Sequence, residues 1–180
     1  MPKTPLAAIV EHCDRILRTP ETGDYEGAVN GLQVENSGTV TRLAAALGLK
    51  NRKPFFESHG QKIGFQSRQK ISRNELAKKL ERATGAKPLL IPGGKEICER
   101  IGIVTGGAGG ELKQAASEGV DTFITGEGPH WTYALAEELG LNVFYGGHYA
   151  TETFGVQALA AELSKKFKLP WEFLDHPTGL

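Results

Sequence analysis

Residues 101–148, IGIVTGGAGGELKQAASEGVDTFITGEGPHWTYALAEELGLNVFYGGH, decide the fold class. Short apolar runs at 101–105, 122–125 and 142–145 are each followed at once by a glycine turn. These turns are Gly106-Gly107-Ala108-Gly109-Gly110, Gly126-Glu127-Gly128-Pro129 and Gly146-Gly147-His148. Between the runs the pattern changes to helix, over 111–118 and 129–139, and after the last turn again over 151–167. Strand and helix alternating through short loops predict an α/β fold: a mostly parallel or mixed sheet with helices on its faces and three consecutive βα units. Parallel βαβ units are right-handed, so these strands should add in order along one edge. A final strand is expected over 171–174.

Outward from this stretch the pattern weakens. Leu6, Ile9, Val10, Cys13 and Leu17 recur at helical spacing, with Pro5 suited to a first turn and Thr19-Pro20 to a stop. Asn30-Gly31 signals a turn before a short strand at 32–35. Residues 40–47 are apolar enough for a strand, but Ala44-Ala45-Ala46 suits a helix equally. Phe55-Phe56 and residues 63–65 read as short strands around a Ser58-His59-Gly60 turn. Ser72 is a helix N-cap with Glu75 as its capping-box partner, and that helix stops at Gly85. Residues 89–91 form a strand closed by Pro92-Gly93-Gly94. The whole, 1–180, is expected to be one α/β domain, with a less patterned part (1–100) and a βα half (101–180).

Lys plus Arg and Asp plus Glu number 21 each, so the formal net charge is zero. That balance gives no support to a nucleic-acid groove, which shows as a basic stripe, and it does little to oppose self-association. Cys13 and Cys98 have no CxxC spacing and read as buried reduced thiols rather than a disulfide framework. No segment approaches the roughly 20 apolar residues of a membrane span. The first ten residues lack the apolar core of a signal peptide, and the expected location is the cytoplasm.

Ligands of such sheets gather outside the carboxyl ends of the strands, where the glycine turns lie. His148 and Glu152, at i and i+4, can point to one side of a helix, and imidazole plus carboxylate suits zinc, manganese or iron. The competing reading is a surface hydrogen bond at a helix start. Glu127 and His130, on the neighbouring loop, can orient those ligands or act as an acid–base pair; simple helix capping is the alternative. The 106–110 turn precedes a helix N-terminus and so suits an anion, but it is neither a P-loop nor a GxGxxG fingerprint. His12, on the rim of the first helix, His59 and His176 read as structural or solvated.

At these residues the chain resembles a known family. Asn30-Gly31-Leu32-Gln33-Val34-Glu35, Ile124-Thr125-Gly126-Glu127 with His130, and Gly147-His148-Tyr149-Ala150-Thr151-Glu152 resemble, in order, signatures of the Nif-three-like family, the last being the most specific. The closing Phe173-Leu174-Asp175-His176-Pro177 resembles its C-terminal strand. The resemblance implies a dinuclear metal centre, a ring-like homo-oligomer, typically a hexamer, and the label GTP cyclohydrolase I type 2 homologue. It places His148 and Glu152 on metal ligands and Glu127 and His130 near that centre. It also implies a departure. After the strand matching residues 40–46, the family carries a His-His pair and later an Asp that complete the ligand set. Here the chain runs directly into Leu47-Gly48-Leu49-Lys50, as an internal deletion would leave it, and no His-His pair occurs. His59 is the natural substitute if its loop folds toward the crevice.

The leading expectation is therefore a metal-dependent hydrolase. His148 and Glu152 would hold a divalent ion, Glu127 or His130 would move protons, and the small-molecule substrate would be a nucleotide or other phosphate compound. The alternatives are a non-catalytic oligomeric scaffold with a degenerate site and a metal-free nucleotide-binding regulator.

Overall fold

The computed structural model describes residues 4–17 and 36–177. The expected 32–35 strand and the whole Asn30–Glu35 signature lie outside them. Six strands form one mixed sheet in the order β1-β2-β4-β5-β6-β3. β4 (Ile97–Ile103), β5 (Thr122–Thr125) and β6 (Asn142–Tyr145) are parallel neighbours in chain order. β1 (Lys53–Ser58) and β2 (Gln61–Ser72) form an antiparallel hairpin on one side, and β3 (Leu89–Pro92) closes the other antiparallel to β6. Antiparallel pairs flank a parallel centre, so the sheet is mixed.

Alternate strand residues feed two cores. Ile124 and Phe144 point to a cluster shared with Val40, Leu43, Leu47, Leu76 and Leu80. Phe123, Val143 and Tyr145 point to the opposite cluster, with Leu112, Ala115 and Ala136. Helices α2 (Asn36–Ala46) and α3 (Arg73–Thr84) thus cover one face, and α4 (Leu112–Ser117) and α5 (Thr132–Leu139) the other. A 3-10 turn, Ala108–Glu111, leads into α4. The long α6 (His148–Phe167) packs with α2, and its Phe154 joins the α2/α3 core.

This layering positions the site. β4 and β5 both send their helices to the α4/α5 face, as right-handed crossovers between strands added in one direction must. After β6 the chain crosses to the other face in α6. The β5 and β6 loops therefore part in opposite directions and open a crevice between them, at a topological switch point.

Several expectations are met locally. Ser72 Oγ accepts from Glu75 N–H at 3.2 Å, and Gly85, left-handed at φ 80°, ends α3. The hairpin forms around Ser58–Gln61, and both cysteines are buried and free. Others are corrected. Residues 40–47, open between strand and helix in the sequence and matched over 40–46 to a strand by the family resemblance, lie in and just after α2: Val40, Leu43, Ala44 and Leu47 are fully buried, at helical and not alternating spacing. Residues 171–174 form no strand. Lys168 turns left-handed at φ 56°, and the segment beyond is fixed by a side chain instead of a sheet edge: Tyr149 Oη donates to Asp175 Oδ1 and accepts from His176 N–H. His12, expected on the rim of α1 (Leu6–Leu17), is buried against Phe167 with Arg15 donating to its Nδ1. No helix among the described residues is long and apolar enough to cross a membrane.

Candidate metal centre

Backbone economy brings the loops together. Gly106 sits at φ 71°, and a Cβ there would lie 2.5 Å from Glu152 Oε1. Gly126 is pressed against main chain, with Gly106 O at 2.6 Å and His148 Cα at 2.7 Å from its would-be Cβ. Only glycine lets these strand ends approach so closely. Threonines then tie the loops: Gly106 N–H donates to Thr151 Oγ1 (3.1 Å), Thr151 Oγ1 donates to His148 O (3.0 Å), and Thr125 Oγ1 donates to Gly106 O (3.0 Å). Thr151 is fully buried. Sequence reasoning assigns no role to it or to Thr125, although Thr151 lies inside the most specific signature.

Three of the four expected site residues meet. His148 Nδ1 lies 2.7 Å from Glu127 Oε1, and His148 Nε2 lies 3.4 Å from Glu152 Oε2. An ionised carboxylate only accepts, so Nδ1–H donates to Glu127. The other ring nitrogen, Nε2, faces Glu152. All three side chains are about half exposed. The pKa of Glu152 is raised: partial burial dominates, His148 opposes it, and the negative charge of Glu127 adds to it.

The fourth, His130, stands apart. It occupies an exposed turn ahead of α5, and its side chain joins none of the three by a hydrogen bond or ion pair. His59 is exposed at the hairpin tip and makes no such contact with the crevice. The glycine turn after β4 is poorly suited to an anion in this arrangement. Gly106 N–H is taken by Thr151, Gly109 N–H donates to Glu127 O, and Gly106 and Gly107 face the Glu152 and Glu127 carboxylates.

The fit to a divalent ion is partial. Two ligands at bond lengths of about 2.0–2.2 Å and a tetrahedral angle stand about 3.4 Å apart, which is the His148 Nε2–Glu152 Oε2 separation. A carboxylate on the other imidazole nitrogen is the usual partner of a metal-binding histidine. Yet among the described residues no group of three or more His, Cys, Asp or Glu side chains is placed to hold a metal. Glu127, His148 and Glu152 form a line through the imidazole, not a ring of donors around one point.

Comparison with known proteins identifies the family of the chain. Residues 30–178 match the Duf34/NIF3 (NGG1p interacting factor 3) family. The chain belongs to that family. It is 35% identical over 181 residues to the GTP cyclohydrolase 1 type 2 homolog of Deinococcus radiodurans, covering 98% of this chain and 68% of that protein. Among solved structures, the protein TTHA1606 from Thermus thermophilus is 42% identical with a TM-score of 0.69, over 81% of this chain and 57% of that one. The protein ybgI is 34% identical with a TM-score of 0.70, over 78% and 56%. This Duf34/NIF3 chain thus spans little more than half the length of those solved relatives.

Proposed function

We propose that this Duf34/NIF3 chain binds a divalent ion, zinc, iron or manganese, through His148 Nε2 and Glu152, and hydrolyses a nucleotide or another phosphate-containing small molecule at that ion. One observation carries the reading: the imidazole is oriented by Glu127 on one nitrogen and presents the other toward Glu152, at the switch point of the sheet. A bound ion supplies the charge that polarises a phosphoryl or carbonyl oxygen and lowers the pKa of water. The chain's own part is positional. Glu127 fixes the tautomer and rotation of His148, Thr151 anchors the first turn of α6 to the strand ends, and Gly106 leaves room for the Glu152 carboxylate. The names of the relatives support the substrate class. With two donors, the remaining coordination positions fall to water or substrate.

Metal content tests this. Elemental analysis of protein purified without added metal should find about one ion per chain, absent from a His148→Ala/Glu152→Ala double variant, with Glu127→Ala weakening affinity about 10–100-fold. Equal metal in wild type and double variant, or none in either, overturns the reading. The lack of a third clustered donor among the described residues favours a second one, an oligomeric scaffold, expected from the family to be a hexameric ring, with a degenerate site. It predicts no metal in any variant.

A further inference from the structure

Beyond the His148–Glu152 pair, on the other side of Glu127, a groove of about 1020 Å³ runs between the end of α3, the start of α6 and the segment after it. That volume matches a small-molecule site, commonly about 300–1,000 Å³. Its inner wall is the glycine backbone of Gly126 and Gly128 at the end of β5, and its sides include the rings of Tyr149 and Phe173. Arg82 and Lys87 also line it.

The charges in this groove are not equivalent. Its carboxylates are engaged: Glu127 accepts from His148, and Asp175 accepts from Tyr149. Arg82 and Lys87 are both exposed, and neither side chain has a hydrogen bond or ion pair among the described residues. Two cations and two carboxylates balance the formal charge of the lining, and the side chains whose hydrogen-bond donors remain free are Arg82 and Lys87, in the same groove as aromatic side chains and close-approach backbone. Arginine and lysine are the usual partners of phosphate oxygens.

We infer that this groove is a ligand site for a planar-ring phosphate, such as a nucleoside monophosphate, with its phosphate on Arg82 and Lys87 and its ring toward Tyr149 and Phe173. The inference rests on the crevice being a ligand site, as proposed above, but not on a bound metal. The anion is held on the side away from His148 and Glu152, so the ligand binds when the metal is removed. Its remaining end lies at Glu127, against the candidate metal centre.

Calorimetric titration of the full chain with GMP and with guanosine, in the presence of a chelator, tests this. GMP should bind in chelator, and Arg82→Ala/Lys87→Ala should weaken it about tenfold or more, the scale of one to two lost charge-assisted contacts. The weaker binding of guanosine should not change. An Arg82→Lys/Lys87→Arg variant, which keeps both charges, should bind GMP nearly as wild type, and thermal melts should show all variants folded. GMP that binds only when metal is present overturns the groove inference while leaving the metal centre standing. GMP binding equal in wild type and the alanine variant overturns it as well. Metal content lost in His148→Ala/Glu152→Ala with GMP binding intact separates the two sites in its favour.

Discussion

β5 and β2 belong to one sheet, with only β4 between them, yet they are held by different means. β5 is four residues long and all four are buried; its neighbours are the strands next to it in the βα succession. β2 is twelve residues long and buries three. Its hairpin partner β1 is secured from far along the chain. Glu118, at the end of α4, accepts from Phe56 N–H at 3.0 Å across 62 residues. Phe56 itself sits at φ 62°, and its ring stacks on Phe123 at an interplanar angle of 8°. The parallel centre is thus specified by contiguous segments and close backbone contact, whereas the hairpin is held by its ladder to β4 and by side chains from distant segments. The candidate metal centre lies wholly in the first kind of structure, where small errors in backbone position cannot be absorbed by a shifting side chain.

A pair of glycine-to-alanine changes measures that contrast, and the first carries the largest effect expected. In Gly126→Ala the new Cβ meets main-chain atoms, Gly106 O and His148 Cα, which cannot give way. A loss of about 3 kcal/mol is expected in chemical denaturation, the upper range for overpacking, with the β5 and β6 loops displaced. Gly60, in the hairpin turn, has nothing within 4 Å of a Cβ and only its φ of 78° to strain, so Gly60→Ala should cost about 1–2 kcal/mol. Equal losses at the two positions would break the distinction between the regions.

The same distinction governs how much of the molecule is legible in its sequence. Residues 122–125 and 142–145 form strands at the expected bounds, because a short apolar run closed by glycine, with a core on both faces, leaves few other structures. The meeting of His148 with Glu152 follows from helical spacing, and that of Glu127 with His148 from two loops sharing one edge of the sheet. Residues 40–47 are ambiguous in sequence because alanine serves both structures, and the choice falls to packing: the helix buries Val40, Leu43, Ala44 and Leu47 together. His130 follows the same glycine turn as Glu127, but the rotation of the turn entering α5, which no residue spacing encodes, leaves it exposed. The glycine at 106 is legible as a turn and not as the seat of a carboxylate.

Glu118 offers an intermediate effect with a pH signature. Burial works to raise its pKa, but hydrogen bonds from Phe56 N–H, Gln114 and Lys62, with the charge of Lys62, outweigh it and hold the carboxyl below its ordinary value. A folded pKa below the unfolded one means stability that is complete above the unfolded pKa and is lost as pH falls through the folded one. Glu118→Gln should cost about 1.5–2 kcal/mol at neutral pH, as for a hydrogen bond to a charged group, and the gap to wild type should close as the solution is acidified through the carboxylate range. A gap that stays constant with pH would show that the charge on Glu118 does not hold the hairpin.

Ser72 should show the smallest effect, and it sits where the two regimes join. It is the last residue of β2 to pair with β4, opposite Ile97, and it is also the N-cap of α3. Its sheet contribution is main-chain and survives substitution, whereas its cap is the Oγ that accepts from Glu75 N–H. Ser72→Ala should therefore lose about 1 kcal/mol, and Ser72→Asp, which restores an acceptor with a charge favoured at a helix N-terminus, should recover most of it. Hydrogen exchange should place the loss in the first turn of α3 and leave the β2–β4 amides protected. Loss of protection along β2 instead would mean that the hairpin leans on local capping as much as on Glu118, and the division between its long-range contacts and the locally specified centre would have to be redrawn.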